Sequence, residues 1–192
     1  STKNAGFACF GSISELVEDS FLLNDKELLE LVKKRVTGLE ILRKTLGDKT
    51  IDFHQHGGNE LYFSPSDKLL NQINRFNKLL KPIFKNQVFF LKKNFIENFG
   101  FSKQHIQSLI HCPFEGQINT GKTIYSLQNK VKELGGALYT NTNVDKIITK
   151  GKRNRVIVKN NQNEIHFESK FLAICTNAFA KKWFPKEDIN PG

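Results

Sequence analysis

Three groups of residues have types and spacings fit for chemistry. The first is Gly116-Gln117-Ile118-Asn119-Thr120-Gly121-Lys122-Thr123. It fits G-x-x-x-x-G-K-[ST], whose backbone N–H groups cradle phosphates while the lysine reaches the outer ones. The second is His54-Gln55-His56, because alternate residues of a strand project to one side and two imidazoles so placed suit a divalent metal. No third ligand stands near in sequence, His111-Cys112 being distant, so a polar strand end is the better reading and no metal site is expected. The third group is Cys9, Cys112 and Cys175, an odd number set far apart, each within an apolar run. That usage suits reduced, buried thiols of a cytosolic protein better than a disulfide framework.

Each group needs elements to position it, and the phosphate pattern fails that requirement. A P-loop follows a buried parallel strand that reads as an unbroken apolar run, whereas the expected strand over 106–111 carries Gln107, Ser108 and His111 and runs into Pro113. It also needs an acidic residue at the end of an apolar strand to hold magnesium, and the best later strand, residues 171–175, ends in Thr176-Asn177. Residues 115–144 read instead as a turn, an amphipathic helix over 122–134 and a short strand. Asn119 or Thr120 caps the helix, Gly135-Gly136 stops it, and Ile124, Leu127, Val131 and Leu134 form its apolar face. A P-loop nucleotide-binding protein using residues 116–123 stays as the alternative.

The rest of the chain alternates helical and extended patterns. Ser12 with Glu15, and Asn24 with Glu27, are capping boxes that open a short helix to about Phe21 and a long one over 25–46. The long helix carries Leu28, Val32, Val36, Leu39, Leu42 and Leu46 at helical spacing and stops at Gly47. Two short strands are expected within 51–63, then a helix over 68–80 capped by residues 64–67, with Leu69, Ile73, Phe76 and Leu80 inward. A β-rich run over 87–92 and a turn-like piece at 95–99 follow. Further on come an extended segment over 137–140 and 144–148 and a hairpin of 155–159 with 164–168. Residues 171–175, fully apolar, fit an internal strand of a mainly parallel sheet with the 122–134 helix on one face. The expected class is α/β with α+β character.

With 192 residues, 39% of them hydrophobic and 17 phenylalanines, the chain can bury a sizeable core. Its net charge of +10 makes a basic nucleic-acid-binding module a second alternative, but the 29 Lys and Arg are strewn through every segment with no aromatic-interleaved patch, so no nucleic-acid partner is expected. No signal segment and no run approaching 18 apolar residues stands in the sequence, so a membrane span is not expected either. The absence of Met suggests a piece of a longer chain. Oligomeric state is not legible.

Three segments, in order, carry a resemblance. They are Lys3-Asn4-Ala5-Gly6-Phe7, then Glu115-Gly116-Gln117-Ile118 with its helix and the strand bearing Val144, then Cys175-Thr176-Asn177-Ala178-Phe179 behind the apolar run. Together they resemble the D-amino-acid oxidase and glycine oxidase superfamily of FAD-dependent oxidoreductases, over roughly 1–12, 112–150 and 165–180. The resemblance implies part of an FAD-binding Rossmann-like domain plus a substrate domain with helices on a mixed sheet. Residues 1–12 would be a flavin-contacting loop, 13–112 mainly substrate domain, and 113–192 a return into the FAD domain. It implies FAD contacts from Lys3, Asn4, Ala5, Gly6, Phe7, Val144, Thr176, Asn177 and Ala178, and a small amine or amino-acid substrate oxidised to an imine. Thr120 departs from the proline often found there. The G-x-G-x-x-G fingerprint and its ribose-binding acid are absent, so the fragment is expected to bind FAD poorly and to be inactive alone, and no catalytic residue is assigned.

Overall fold

The computed structural model describes residues 4–63, 67–92, 96–102, 104–160 and 163–187. Two compact units result, Ser1–Gly136 and Ala137–Gly192. The class is a mixture of helices and antiparallel sheets.

In the first unit the helices begin where their caps place them. Ser12 and Glu15 exchange bonds at the start of α1 (Ile13–Leu22), and Asn24 and Glu27 do the same for α2 (Asp25–Leu46). Each box satisfies N–H groups that a helix start otherwise leaves unpaired. Arg43 then forks onto Asp48 at 2.8 and 2.7 Å, tying α2 to the short α3 (Asp48–Ile51). The first of the two strands expected within 51–63 is therefore absent: its opening residue ends a helical turn, and only His54 makes an isolated bridge, to Gln117.

α4 spans Asp67–Phe84, beyond the expected end at 80 and through Pro82. Pro82 lacks the N–H that would reach the Lys78 carbonyl, and the helix runs only two residues further before it stops. The N-terminal cap expected at 64–66 and Phe95 lie outside the described residues. After the helix, Asn77 clips the returning chain: its side-chain oxygen accepts from the N–H groups of Val88 and Phe89, and its amide donates to the Phe89 carbonyl.

Three strands pair antiparallel in the order β2 (Gly58–Tyr62), β4 (Ser108–Cys112), β3 (Phe90–Leu91). β4 is central and covered on both faces. Ile110 and Cys112 enter the main core with Phe10, Ile13, Leu16, Leu28, Val32, Ile73, Phe76, Leu80, Val88 and Phe89, while Leu109 joins Ile96, Ile106 and Leu61 in a smaller cluster. Burying both faces explains why β4 shows little alternation. A second antiparallel pair joins β1 (Phe7–Ala8) to β5 (Gly116–Gln117), in the register Phe7–Gln117 and Ala8–Gly116.

α5 (Thr120–Glu133) starts at Asn119, whose side chain accepts from the Lys122 N–H at 2.9 Å, and it ends before Gly135. Its expected apolar face is not a core face in this chain. Thr123 is its buried residue, while Leu127, Val131 and especially Leu134, 78% exposed, meet solvent. An apolar stripe is buried only when another layer covers it, and α5 leans on α3 and α2 near its start instead.

The second unit is a meander of β6 (Asn143–Lys150), β7 (Arg153–Asn160) and β8 (Asn163–Ser169), which extends the expected hairpin by one strand. Ile157 and Val158 are its buried residues, and Tyr139 packs against Phe167 with ring centres 5.2 Å apart. Residues 137–140 are irregular rather than extended in a ladder. The expected internal strand at 171–175 is likewise no strand: these residues join no ladder and Phe171 is 89% exposed. Every named pairing is antiparallel. An apolar run becomes a strand only where neighbours supply backbone partners, and among the described residues none lies beside it. The Cys expectation is also corrected in part: all three thiols are free, but Cys112 alone is buried and Cys9 and Cys175 are exposed.

Candidate functional site

The first segment of the resemblance lies on the β1–β5 pair. Asn4 turns its side chain back to accept from the Gly6 N–H at 2.8 Å, and Gly6 takes φ +70, a conformation L side chains rarely adopt. A Cβ there would lie 2.8 Å from the Ile118 carbonyl oxygen, so glycine is required for space as well as for φ. The Ile118 N–H donates to the Gly6 carbonyl at 2.8 Å, which continues the ladder beyond Phe7 and Ala8. Asn4, Ala5 and Phe7 are left exposed, Phe7 at 58%. The result is a fixed, open edge with an aromatic face. That edge suits a planar cofactor laid along it. Lys3 lies outside the described residues.

β5 is flanked on its other side by His54, whose N–H and carbonyl pair with Gln117 at 3.0 and 2.9 Å. A Cβ on Gly116 would meet the His54 carbonyl oxygen at 2.6 Å and the Phe53 ring at 2.8 Å. Asp52 holds Lys122 at 3.0 Å and His54 at 3.2 Å, and these bonds, that from Lys122 first, keep its carboxyl below the usual range. His54 and His56 stack with parallel rings 5.4 Å apart. Among the described residues no cluster of three metal-ligating groups forms. The phosphate pattern also lacks its setting, because Gly116 and Gln117 form an antiparallel strand and Asp52 already engages Lys122.

Glu115 stands immediately before this strand. It is 5% exposed, and its Oε1 has no hydrogen-bond partner among the described residues. Its carbonyl accepts from Gly57 at 3.0 Å, and its carboxyl lies so close over Gly58 that any Cβ there would collide with Oε2. Burial, then the negative charges of Glu15 and Glu60, push its pKa up to about 7. Burial pushes the Cys112 thiol up to about 12, and partial burial of its sulfur, then the Glu115 charge, raise Cys9, a residue that is exposed as a whole. In the sequence Glu115 was legible only as the first letter of a motif. One weak signal of burial was an acid set between Cys112-Pro113-Phe114 and Gly116.

The remaining predicted residues lie in the second unit. The Val144 carbonyl accepts from the Lys182 ammonium at 2.9 Å, and Lys182 ends the 3-10 helix Asn177–Lys182 that opens behind Thr176. Lys182 thus links Val144 to the third segment. Asn177 adopts φ +47 and is exposed, as is Thr176, and Ala178 follows in the same turn.

Comparison with known proteins adds the following. The family model for FAD dependent oxidoreductase (DAO) matches residues 1–191. No curated protein matches. Among solved structures, glycine oxidase from Geobacillus kaustophilus is similar with a TM-score of 0.58 at 16% identity, over 94% of this chain and 46% of that one. L-proline dehydrogenase from P. horikoshii is similar with a TM-score of 0.60 at 19% identity, over 78% of this chain and 38% of the other. At such identities the likeness concerns the fold. The chain spans less than half of either protein.

Proposed function

From the premise that the chain belongs to the FAD dependent oxidoreductase family, we propose that it forms part of a flavoenzyme oxidising an amine or amino acid to an imine. The observation that carries this reading is the family match along 1–191, and the open Asn4–Phe7 edge supports it. Two solved neighbours are, by name, a glycine oxidase and an L-proline dehydrogenase, which favours a small amino-acid substrate here. When bound, the flavin supplies the two-electron acceptance that the substrate's C–N bond needs.

The chain's own part is binding and orientation. Asn4 fixes the Gly6 turn, so that the backbone of residues 4–7 and the Phe7 ring can lie along the cofactor. The proposal keeps as further cofactor contacts Val144, whose side chain is half-buried and whose carbonyl is engaged by Lys182, the exposed Thr176 and Asn177, and Ala178. In this reading residues 1–12 are the flavin loop, 13–112 mainly the substrate domain and 113–192 a return into the FAD domain. A cytosolic place belongs to the same proposal, on the three free thiols.

The chain alone binds FAD poorly. A dinucleotide's pyrophosphate is held by a glycine turn at a helix N-terminus, and no G-x-G-x-x-G stands in this sequence. Without that anchor the remaining contacts must offset an association cost of several kcal/mol, on the order of 4–15. The test is a visible spectrum of this chain beside that of the whole protein containing it. The expected result is a colourless chain and a yellow whole protein whose flavin bands bleach anaerobically with an amino acid. A yellow chain refutes weak binding, and a colourless whole protein refutes the flavoenzyme reading.

A further inference from the structure

We propose that Glu115, in its protonated form, is a positioning residue that keeps the Gly6–Ala8 backbone seated on β5, and that ionisation of its carboxyl weakens this seat. The inference rests on the flavin reading only for its bearing on cofactor binding.

The geometry begins with the backbone. Three consecutive residues after Glu115 hold the loop: Gly116 pairs with Ala8, Gln117 with Phe7, and Ile118 donates to Gly6. Their place is set where the chain enters the interior, and Glu115 makes that entry with its carbonyl on Gly57 N–H and its carboxyl over Gly58. A neutral carboxyl can rest there. A carboxylate cannot rest there without cost, because Oε1 has no partner among the described residues and water is excluded.

Every charged group that acts on it makes matters worse. α1 brings Glu15 and β2 brings Glu60, both carboxylates. The segment after β1 brings the Cys9 thiol and β4 the Cys112 thiol, neither of which supplies positive charge. From β4, His111 packs over Gly57, and burial, then the Lys92 charge, lower its pKa, so it gives up its positive charge more readily than an ordinary imidazole. From α2, Arg35 reaches toward Cys9, yet it is spent on Asp19 at 2.9 Å and on the Phe10 carbonyl. A charge on Glu115 is relieved by moving toward solvent, and β5 moves with it.

The sign and window follow from the two protonation states. With Glu115 released into water its pKa is near the ordinary 4.5, and in the seated state it is about 7. The seated state therefore holds one more proton between those values. Opening of the seat should grow about tenfold per pH unit across that window and level off above it. Below the window the seat is tightest.

Two measurements on the chain decide this without flavin. Difference infrared spectroscopy should show a protonated-carboxyl C=O band surviving to near-neutral pH, absent in Glu115→Gln. Amide hydrogen exchange at residues 8 and 118, whose N–H groups face the paired strand, should lose protection through the same window beyond the intrinsic base-catalysed rise, with the extra loss abolished in Glu115→Gln. Absence of the band, or protection that does not depend on pH, overturns the proposal. If Glu115→Gln does not fold, the wild-type titrations decide alone. In the flavin-loaded whole protein, a seat that loosens with pH while flavin retention stays constant would refute the cofactor role of residues 4–7 and leave the positioning role standing.

Discussion

Single residues hold this molecule at points where a backbone passes close to something else. Gly116→Ala places a methyl against the His54 carbonyl oxygen at 2.6 Å and the Phe53 ring, contacts that only a shift of β5 can relieve. We expect a loss of about 1–3 kcal/mol, the range for overpacking, seen as a lower midpoint in chemical denaturation. Asn77→Ala is worse placed than its partly buried position suggests, because one side chain serves three backbone groups. Removing it strands the N–H groups of Val88 and Phe89, and about 1–3 kcal/mol should go with them in the same measurement. Phe76→Ala, fully buried among helices, should cost about 3–5 kcal/mol by the cavity it leaves.

Elements show which parts of the fold a sequence can specify by itself. α1, α2 and α5 begin at the caps named from sequence, since Ser12, Asn24 and Asn119 bond N–H groups two or three residues away. The hairpin of β7 and β8 was legible for the same reason, both partners lying on either side of a short turn. What was not legible depends on distant partners. The apolar run at 171–175 and the stripe of α5 read as buried because periodicity reports a preference for cover and says nothing of whether the cover is there. The candidate site divides along the same line: the Asn4–Phe7 segment was singled out by the family resemblance its letters carry, while the burial of Glu115 required Gly58, 57 positions earlier, to arrive beside it. A local prediction belongs here. Asn119→Ala should lower thermal stability by about 1 kcal/mol and fray the first turn of α5, detectable as faster amide exchange at Lys122.

At the scale of the whole molecule, the exposed residues 134–141 connect two units that each have their own buried groups. Limited proteolysis should cut there first, leaving a product that ends near Gly136; an initial cut within α2 or β4 would contradict this division. Residues 171–175 have a further consequence, for how the protein behaves in a tube. Phe-Leu-Ala-Ile-Cys has no charge and no proline, and its unladdered backbone is an adhesive strip on which a second molecule can lay the same strip. The net charge of +10 holds molecules apart as long as it is unscreened. Light scattering should therefore stay low in dilute buffer and climb with added salt, and Ala173→Lys should flatten that climb while leaving the thermal midpoint where it was. Shelf life, on this account, is set by five residues and the ionic strength of the bottle.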